Sequence, residues 1–105
     1  MPDVPAVRLV RQAPRFARSK RAFPPNVQIE IDDAVSRVVA DPFVGEQKSG
    51  SLKAVRVLKF KSGPQQQQLL LAYTFVSKRQ TIELLDVGPH ENFYRGLTQY
   101  LDARP

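Results

Sequence analysis

Hydrophobic and polar positions in the first part of the chain change from a strand-like to a helix-like spacing. Residues 6–11 form a short stretch rich in β-branched side chains, which is typical of a β-strand. From Ala13 to Phe23 the apolar residues recur at helical intervals, and Pro24-Pro25 ends this predicted helix. A second predicted helix begins at Pro25 and ends at Asp41-Pro42, because the residue before a proline avoids the helical conformation. Its apolar positions lie three or four residues apart: Val27, Ile31, Ala34, Val35, Val38 and Val39.

The second part of the chain shows the period of two that is typical of strands. After a predicted loop over residues 43–51, Val57 and Lys59 point to one face of a strand, whereas Arg56 and Leu58 point to the other. Residues 69–76 are almost continuously apolar, which indicates a strand covered on both faces, and residues 81–87 predict one more strand. The four glutamines at 65–68 are predicted to form a hairpin loop, and apolar residues at helical spacing predict a last helix over residues 92–101.

These elements predict a single α+β domain over residues 1–105 with the order β-αα-βββ-α. Because the last three strands are joined by short turns, we expect a mostly antiparallel four-stranded sheet packed against a helical hairpin. The composition excludes several classes of site. The chain has no cysteine, so disulfides, thiolate zinc sites and cysteine nucleophiles are excluded.

Further absences give expectations about cofactors and location. With one histidine and no acidic pair at ligand spacing, we expect neither a metal nor another cofactor. No apolar run approaches the ~20 residues that span a bilayer, and the first residues do not resemble a signal peptide. We therefore expect a cytoplasmic protein without membrane contact.

Basic residues outnumber acidic ones by 16 to 10, which gives a formal net charge of +6. They are concentrated in the first quarter of the chain and again between Lys48 and Lys61, with acidic residues between the two clusters. This asymmetry favours a one-sided basic surface that binds a polyanion, either nucleic acid or an acidic protein. The alternative is that these charges only keep a small domain soluble.

The only histidine, His90, follows a Gly-Pro dipeptide that ends the last predicted strand, and Tyr94 comes four residues later. Histidine exchanges a proton near neutral pH, and a neighbouring phenol can orient it, so the position is a candidate acid-base centre. The alternative is a histidine that caps a helix or lies in a solvated loop. For Tyr94 the alternative is a core position, because Phe93 and Leu97 belong to the same predicted helix.

Several motifs occur in a defined order along the chain. They are Asp41-Pro42-Phe43, Gly50-x-Leu52 before a basic strand, Leu71-Ala72-Tyr73, and Val87-Gly88-Pro89-His90-Glu91-Asn92-Phe93-Tyr94. With the order β-αα-βββ-α, this combination resembles the RelE/ParE toxins of bacterial type II toxin-antitoxin systems over about residues 6–101. The resemblance implies a RelE/ParE-like fold and a cognate antitoxin protein as partner. Arg15 and Arg18, on the first predicted helix, are the expected antitoxin contacts.

In the RelE branch, the implied activity is metal-independent cleavage of mRNA on the ribosome, which inhibits translation. The resemblance assigns His90 as general acid or base and Tyr94 as its orienting or donating partner. It assigns catalytic roles around the phosphate to Arg56 and Lys59. The remaining implied RNA contacts are Lys53 and Lys61.

One position departs from the RelE pattern. Where many active members have an arginine in an Arg-Leu-x-Tyr strand, this chain has Leu70, and leucine cannot bind phosphate. The departure supports a second interpretation, a ParE-like toxin that inhibits DNA gyrase without nuclease chemistry. A third is a non-catalytic module whose main partner is the antitoxin.

Overall fold

The computed structural model describes residues 7–104. Its three helices and five strands, in chain order, are β1 (Leu9–Gln12), α1 (Pro14–Arg21), α2 (Pro25–Ala40), β2 (Glu46–Gln47), β3 (Arg56–Ser62), β4 (Gln67–Val76), β5 (Thr81–Gly88) and α3 (Phe93–Ala103). A proline in the first turn of α1 and of α2 starts each helix, as its fixed backbone angle favours. The α+β class and the order of the long elements agree with the prediction.

The strands form one sheet in the order β1-β5-β4-β3-β2. β1 runs parallel to β5, and the other neighbours are antiparallel. The predicted count of four strands is wrong, because β2 adds a fifth in the stretch that we expected to be a loop. β2 has only 2 residues, which is too short to show an alternating pattern, and it pairs Glu46 with Val57 of β3.

The boundaries of the β3–β4 hairpin also differ from the prediction. Gln67 and Gln68 belong to β4 and pair with Ser62 and Lys61, so the turn is limited to residues 63–66. Gly63 adopts φ +78° there, a backbone conformation that glycine enters without steric cost. The predicted first strand included residue 6, which lies outside the described residues.

Both faces of the sheet are covered by apolar side chains. The face toward α1 and α2 includes Phe16, Ile31, Leu58, Leu71, Tyr73 and Leu84. The opposite face, which α3 covers, includes Val57, Leu70, Leu85, Phe93 and Leu97. β4 lies at the centre of the sheet between these layers, which explains its continuous apolar run. The prediction that this strand is covered on both faces is confirmed.

A β-bulge interrupts the pairing of β4 with β5. Tyr73 lies opposite Leu84 and Ala72 lies opposite Asp86, so Leu85 has no partner on β4. Because residues directly opposite each other share a face, the bulge turns Asp86 and Gly88 toward the α3 side. Gly88, the last residue of β5, therefore faces Phe93, the first residue of α3.

Candidate functional site

The turn between β5 and α3 places the side chain of His90 beside that of Tyr94. It closes with a hydrogen bond from the Phe93 N–H to the His90 carbonyl at 3.1 Å, and Asn92 adopts a left-handed conformation with φ 58°. The imidazole is exposed, and its centroid lies 5.5 Å from that of the Tyr94 ring in an edge-to-face arrangement. Tyr94 is half-buried on the apolar layer under α3, so it has a packing role as well as an accessible face.

Lys48 completes this group, although the sequence assigned it no role. Its Nζ lies 5.1 Å from the centroid of the Tyr94 ring and 2.9 Å from Glu46 Oε1. The hydrogen bond from Lys48, helped by the charges of Lys48 and Lys59, lowers the pKa of Glu46, and the same hydrogen bond raises the pKa of Lys48. No local signal could have revealed that Lys48 lies beside Tyr94, because the pairing of β2 with β3 brings Glu46 and Lys48 to this surface.

Lys59 and Lys61 are exposed on the α3 side of the sheet, on the same face as Val57. Lys59 lies opposite Leu70 on β4, and Leu70 lies opposite Gly88 on β5. Two strand spacings separate the Cα atoms of Lys59 and Gly88, or about 10 Å. Lys59 is therefore on the same surface as the end of β5, from which His90 follows.

Leu70 occupies the middle of this row and is fully buried, with 0% of its surface exposed. It packs in the apolar layer with Phe93 and Leu97 of α3. β4 therefore supplies no cation to the surface between Lys59 and His90, and the positive charge comes from β3 and Lys48.

Arg56 is not brought together with the other predicted site residues. Its guanidinium lies on the other face of the sheet, where Nη1 donates hydrogen bonds to the carbonyl oxygens of Gly45 at 2.8 Å and Phe43 at 3.3 Å. It also stacks 5.0 Å from the Phe43 ring centroid. Lys53 is exposed in the turn before β3, at the opposite end of that strand from Lys61. Arg56 therefore does not join the group around His90, and the contact of Lys53 is with Gln47, whose side-chain nitrogen donates a hydrogen bond to the Lys53 carbonyl at 3.1 Å.

The two predicted antitoxin contacts on α1 differ in their surroundings. Arg18 is exposed. The Arg15 guanidinium instead turns toward the sheet, where Nε donates a hydrogen bond to Asp86 Oδ2 at 2.9 Å. Of this pair, only Arg18 presents its side chain freely to solvent.

We call His90, Tyr94, Lys48, Glu46 and Lys59 the β5-end site. It combines an imidazole, a phenol and two ammonium groups, which suits proton transfer beside a bound anion. Within residues 7–104, no three histidine, cysteine or acidic side chains lie together in a way that would hold a metal ion. None of the helices in that range is long and apolar enough to cross a membrane.

A comparison with known protein families identifies the family to which the chain belongs. Residues 10–98 match the family model described as ParE-like toxin of type II bacterial toxin-antitoxin system. The chain belongs to this toxin family. The toxin is thus of the RelE/ParE kind, as the order of its motifs indicated.

Solved structures show the same fold at low identity. A RelE double mutant from E. coli in the free state superimposes with a TM-score of 0.71 and 13% identity, covering 94% of the toxin and 100% of the RelE chain. The intact E. coli RelBE toxin-antitoxin complex gives a TM-score of 0.65 at 15% identity, covering 81% of the toxin and 99% of the matched chain. The RelBE2 toxin-antitoxin complex from Mycobacterium tuberculosis gives a TM-score of 0.65 at 19% identity, covering 79% of the toxin and 98% of the matched chain. No curated protein sequence matches the toxin significantly.

Proposed function

We propose that this toxin cleaves mRNA on the ribosome, as implied by its resemblance to the RelE branch. The observation that carries the proposal is the β5-end site, where His90 and Tyr94 lie edge to face at 5.5 Å and Lys48 contacts the Tyr94 ring at 5.1 Å. An exchangeable proton and two cations on one surface are what RNA cleavage requires.

RNA supplies its own nucleophile, so the protein needs only to move protons and stabilise charge. The ribose 2′-oxygen attacks the adjacent phosphorus, the bond to the 5′-oxygen breaks, and a 2′,3′-cyclic phosphate and a 5′-hydroxyl are formed. His90 transfers one of the two protons, either as a base that takes it from the 2′-hydroxyl or as an acid that gives it to the 5′-oxygen. Water exchanges the other proton, and Tyr94 orients the His90 ring. Lys48 and Lys59 stabilise the negative charge that builds up on the phosphate oxygens. Glu46 holds Lys48 in place through their ion pair at 2.9 Å.

The test is cleavage of mRNA on purified, programmed ribosomes, with the new 5′ ends mapped by primer extension. Wild-type toxin is expected to cut, whereas His90→Ala is expected to lose about 100-fold to 10,000-fold in rate while its circular dichroism spectrum is unchanged. Lys78→Ala is the matched control, because Lys78 is an exposed cation in the turn between β4 and β5. Full activity of folded His90→Ala would remove His90 from the mechanism.

Inhibition of DNA gyrase is the second candidate function, and the burial of Leu70 favours it. A toxin without a cation on β4 has less charge with which to bind a phosphate than the RelE pattern provides. Loss of gyrase supercoiling activity on adding the toxin, with intact mRNA on ribosomes, would support this function instead. If neither target is affected and the antitoxin still binds, the toxin is a non-catalytic binding module.

We also propose a cognate antitoxin as the partner of this chain. Support comes from its net charge of +6 and from the exposed Arg18 on α1. The E. coli RelBE and M. tuberculosis RelBE2 structures, to which the toxin is similar, are toxin-antitoxin complexes. An acidic, partly disordered antitoxin segment could fold on this surface, because charge complementarity offsets the cost of ordering.

A further inference from the structure

The buried carboxylate of Asp86 lies outside the β5-end site, and its side chain is only 7% exposed. The bulge at Leu85 turns it toward the α3 side. It accepts hydrogen bonds from Arg15 Nε at 2.9 Å, from Ser19 Oγ at 2.6 Å and from the Val87 N–H at 2.8 Å. A buried carboxylate with three donors is held in one orientation, and so is the arginine bound to it.

The same Arg15 guanidinium also contacts α3. Its Cζ lies 5.5 Å from the centroid of the Tyr100 ring, and Arg104 Cζ lies 5.4 Å from it. Arg104 is itself fixed to the sheet by an ion pair with Glu83 at 2.9 Å. Tyr100 therefore meets two guanidinium groups that are each held by a carboxylate of β5.

Gly96 shows how closely Arg15 approaches the helix. A Cβ atom added at this position would lie 2.5 Å from Arg15 Nη2, well inside van der Waals contact. An alanine at position 96 would displace the guanidinium. A glycine inside a helix lowers helix stability, so its presence here has a local reason in this close approach.

We infer that these residues form a clamp that fixes α3 on the sheet and thereby positions Tyr94 beside His90 and Lys48. The α3 clamp consists of Arg15, Asp86, Glu83, Gly96, Tyr100 and Arg104. In this assignment Arg15 is a positioning residue rather than an antitoxin contact. The functional part of the inference rests on the proposed RNA cleavage.

The properties of α3 explain why a clamp has an effect. The helix has 11 residues and no side-chain hydrogen bond at its N-cap, so it depends on tertiary contacts. Tyr94 and Tyr100 are six residues apart, or about 9 Å along the axis of one rigid helix. A displacement at Tyr100 therefore moves Tyr94 as well.

Two substitutions test the clamp without removing either Arg15 or Asp86, so both charged side chains stay in the protein. Tyr100→Leu removes the ring that both guanidinium groups contact and keeps an apolar side chain. Gly96→Ala displaces Arg15. Intrinsic helix propensity predicts that Gly96→Ala slows amide hydrogen exchange in α3. The clamp predicts that the same substitution makes this exchange faster, so the two explanations predict opposite changes. Arg21→Ala, an exposed cation at the end of α1, is the control.

The measurement is amide hydrogen exchange of α3, together with the NMR signals of the His90 and Tyr94 rings. We expect exchange in α3 to become about fivefold to thirtyfold faster in both clamp variants, with α2 unchanged. The ring signals should shift, because the edge-to-face contact changes. Unchanged exchange and ring signals in both variants, or stronger protection in Gly96→Ala, would overturn the clamp.

Cleavage on ribosomes is then measured with the same proteins. A positioning role predicts that the single-turnover rate falls about tenfold to a hundredfold in both clamp variants, with unchanged affinity for the ribosome. A full rate despite displaced rings would refute the functional part. If the wild-type toxin cuts no mRNA, the proposed function fails, and hydrogen exchange still decides whether the clamp exists.

Discussion

The substitution Tyr73→Phe removes one oxygen atom from the centre of the fold. The Tyr73 ring is fully buried between β4 and α2, and its hydroxyl accepts a hydrogen bond from the Gly45 N–H at 2.9 Å. It donates another to the Pro42 carbonyl at 2.8 Å. Both partners are buried backbone groups in the loop that leads to β2. The hydroxyl therefore fixes the segment that carries Glu46 and Lys48 into the β5-end site.

The expected loss of stability follows from these two contacts. Without the hydroxyl, one buried donor and one buried acceptor lose their partner, and each such loss costs about 1–3 kcal/mol. Allowing for partial relaxation of the loop, we expect the free energy of unfolding to fall by about 2–4 kcal/mol. That is a large share of the about 5–15 kcal/mol that stabilises a typical domain.

The same residue gives a pH dependence. Burial raises the pKa of Tyr73 above its usual value of 10.0, because the folded state disfavours the ionised phenol. The stabilisation that comes from the protonated hydroxyl is fully present below pH 10.0 and is lost as the pH rises through the raised pKa. The difference in stability between the wild-type toxin and Tyr73→Phe should therefore shrink above pH 10.0.

Urea unfolding followed by circular dichroism, at neutral pH and at several values above pH 10, measures both effects. Tyr100→Phe is the control, because it removes a hydroxyl and keeps the ring that the two guanidinium groups contact. A loss below about 0.5 kcal/mol for Tyr73→Phe, no greater than an ordinary surface substitution, would refute the reasoning. So would a stability difference that stays constant up to the alkaline limit of folding.

Two further predictions concern binding. Replacing both Lys59 and Lys61 with alanine should weaken binding to single-stranded RNA and reduce the slope of log affinity against log salt by about 1.4, the value for two lost phosphate contacts; an unchanged slope in a salt titration would show that these lysines serve another partner. Arg18→Glu should slow association with the antitoxin at low salt, measured by stopped-flow mixing, whereas the control Lys78→Glu should leave the rate nearly unchanged. Equal rates for both variants would place the antitoxin away from the outer face of α1.

Much of the fold could be predicted because its long elements have strong periodic patterns. β4 was recognisable from its apolar run, and α2 from Ile31, Ala34 and Val38, which are all buried. β2 could not be predicted, since two residues carry no period and its pairing with β3 depends on the loop that Tyr73 fixes.

The candidate site was only partly predictable for a related reason. The spacing of four residues between His90 and Tyr94 is local, so the sequence could indicate their proximity. The role of Lys48 depends on the long-range pairing of β2. The assignment of Arg15 to an antitoxin surface depended on the cluster of basic residues and on helix spacing, which give no information about its buried partner Asp86.

The bulge at Leu85 makes β5 unequally sensitive to changes in its length. If Leu85 were deleted, Leu84 and Asp86 would become neighbours and would still lie opposite Tyr73 and Ala72, so every later residue would keep its face. Only the apolar contact of Leu85 with the α3 layer would be lost. Deletion of a residue after the bulge would keep the later faces only if Leu85 moved into the ladder, which would remove the bulge. Otherwise the strand would be inverted beyond the deletion, and the approach to His90 would turn toward the wrong layer. We therefore expect deletion of Leu85 to be tolerated better than deletion of any other residue of β5.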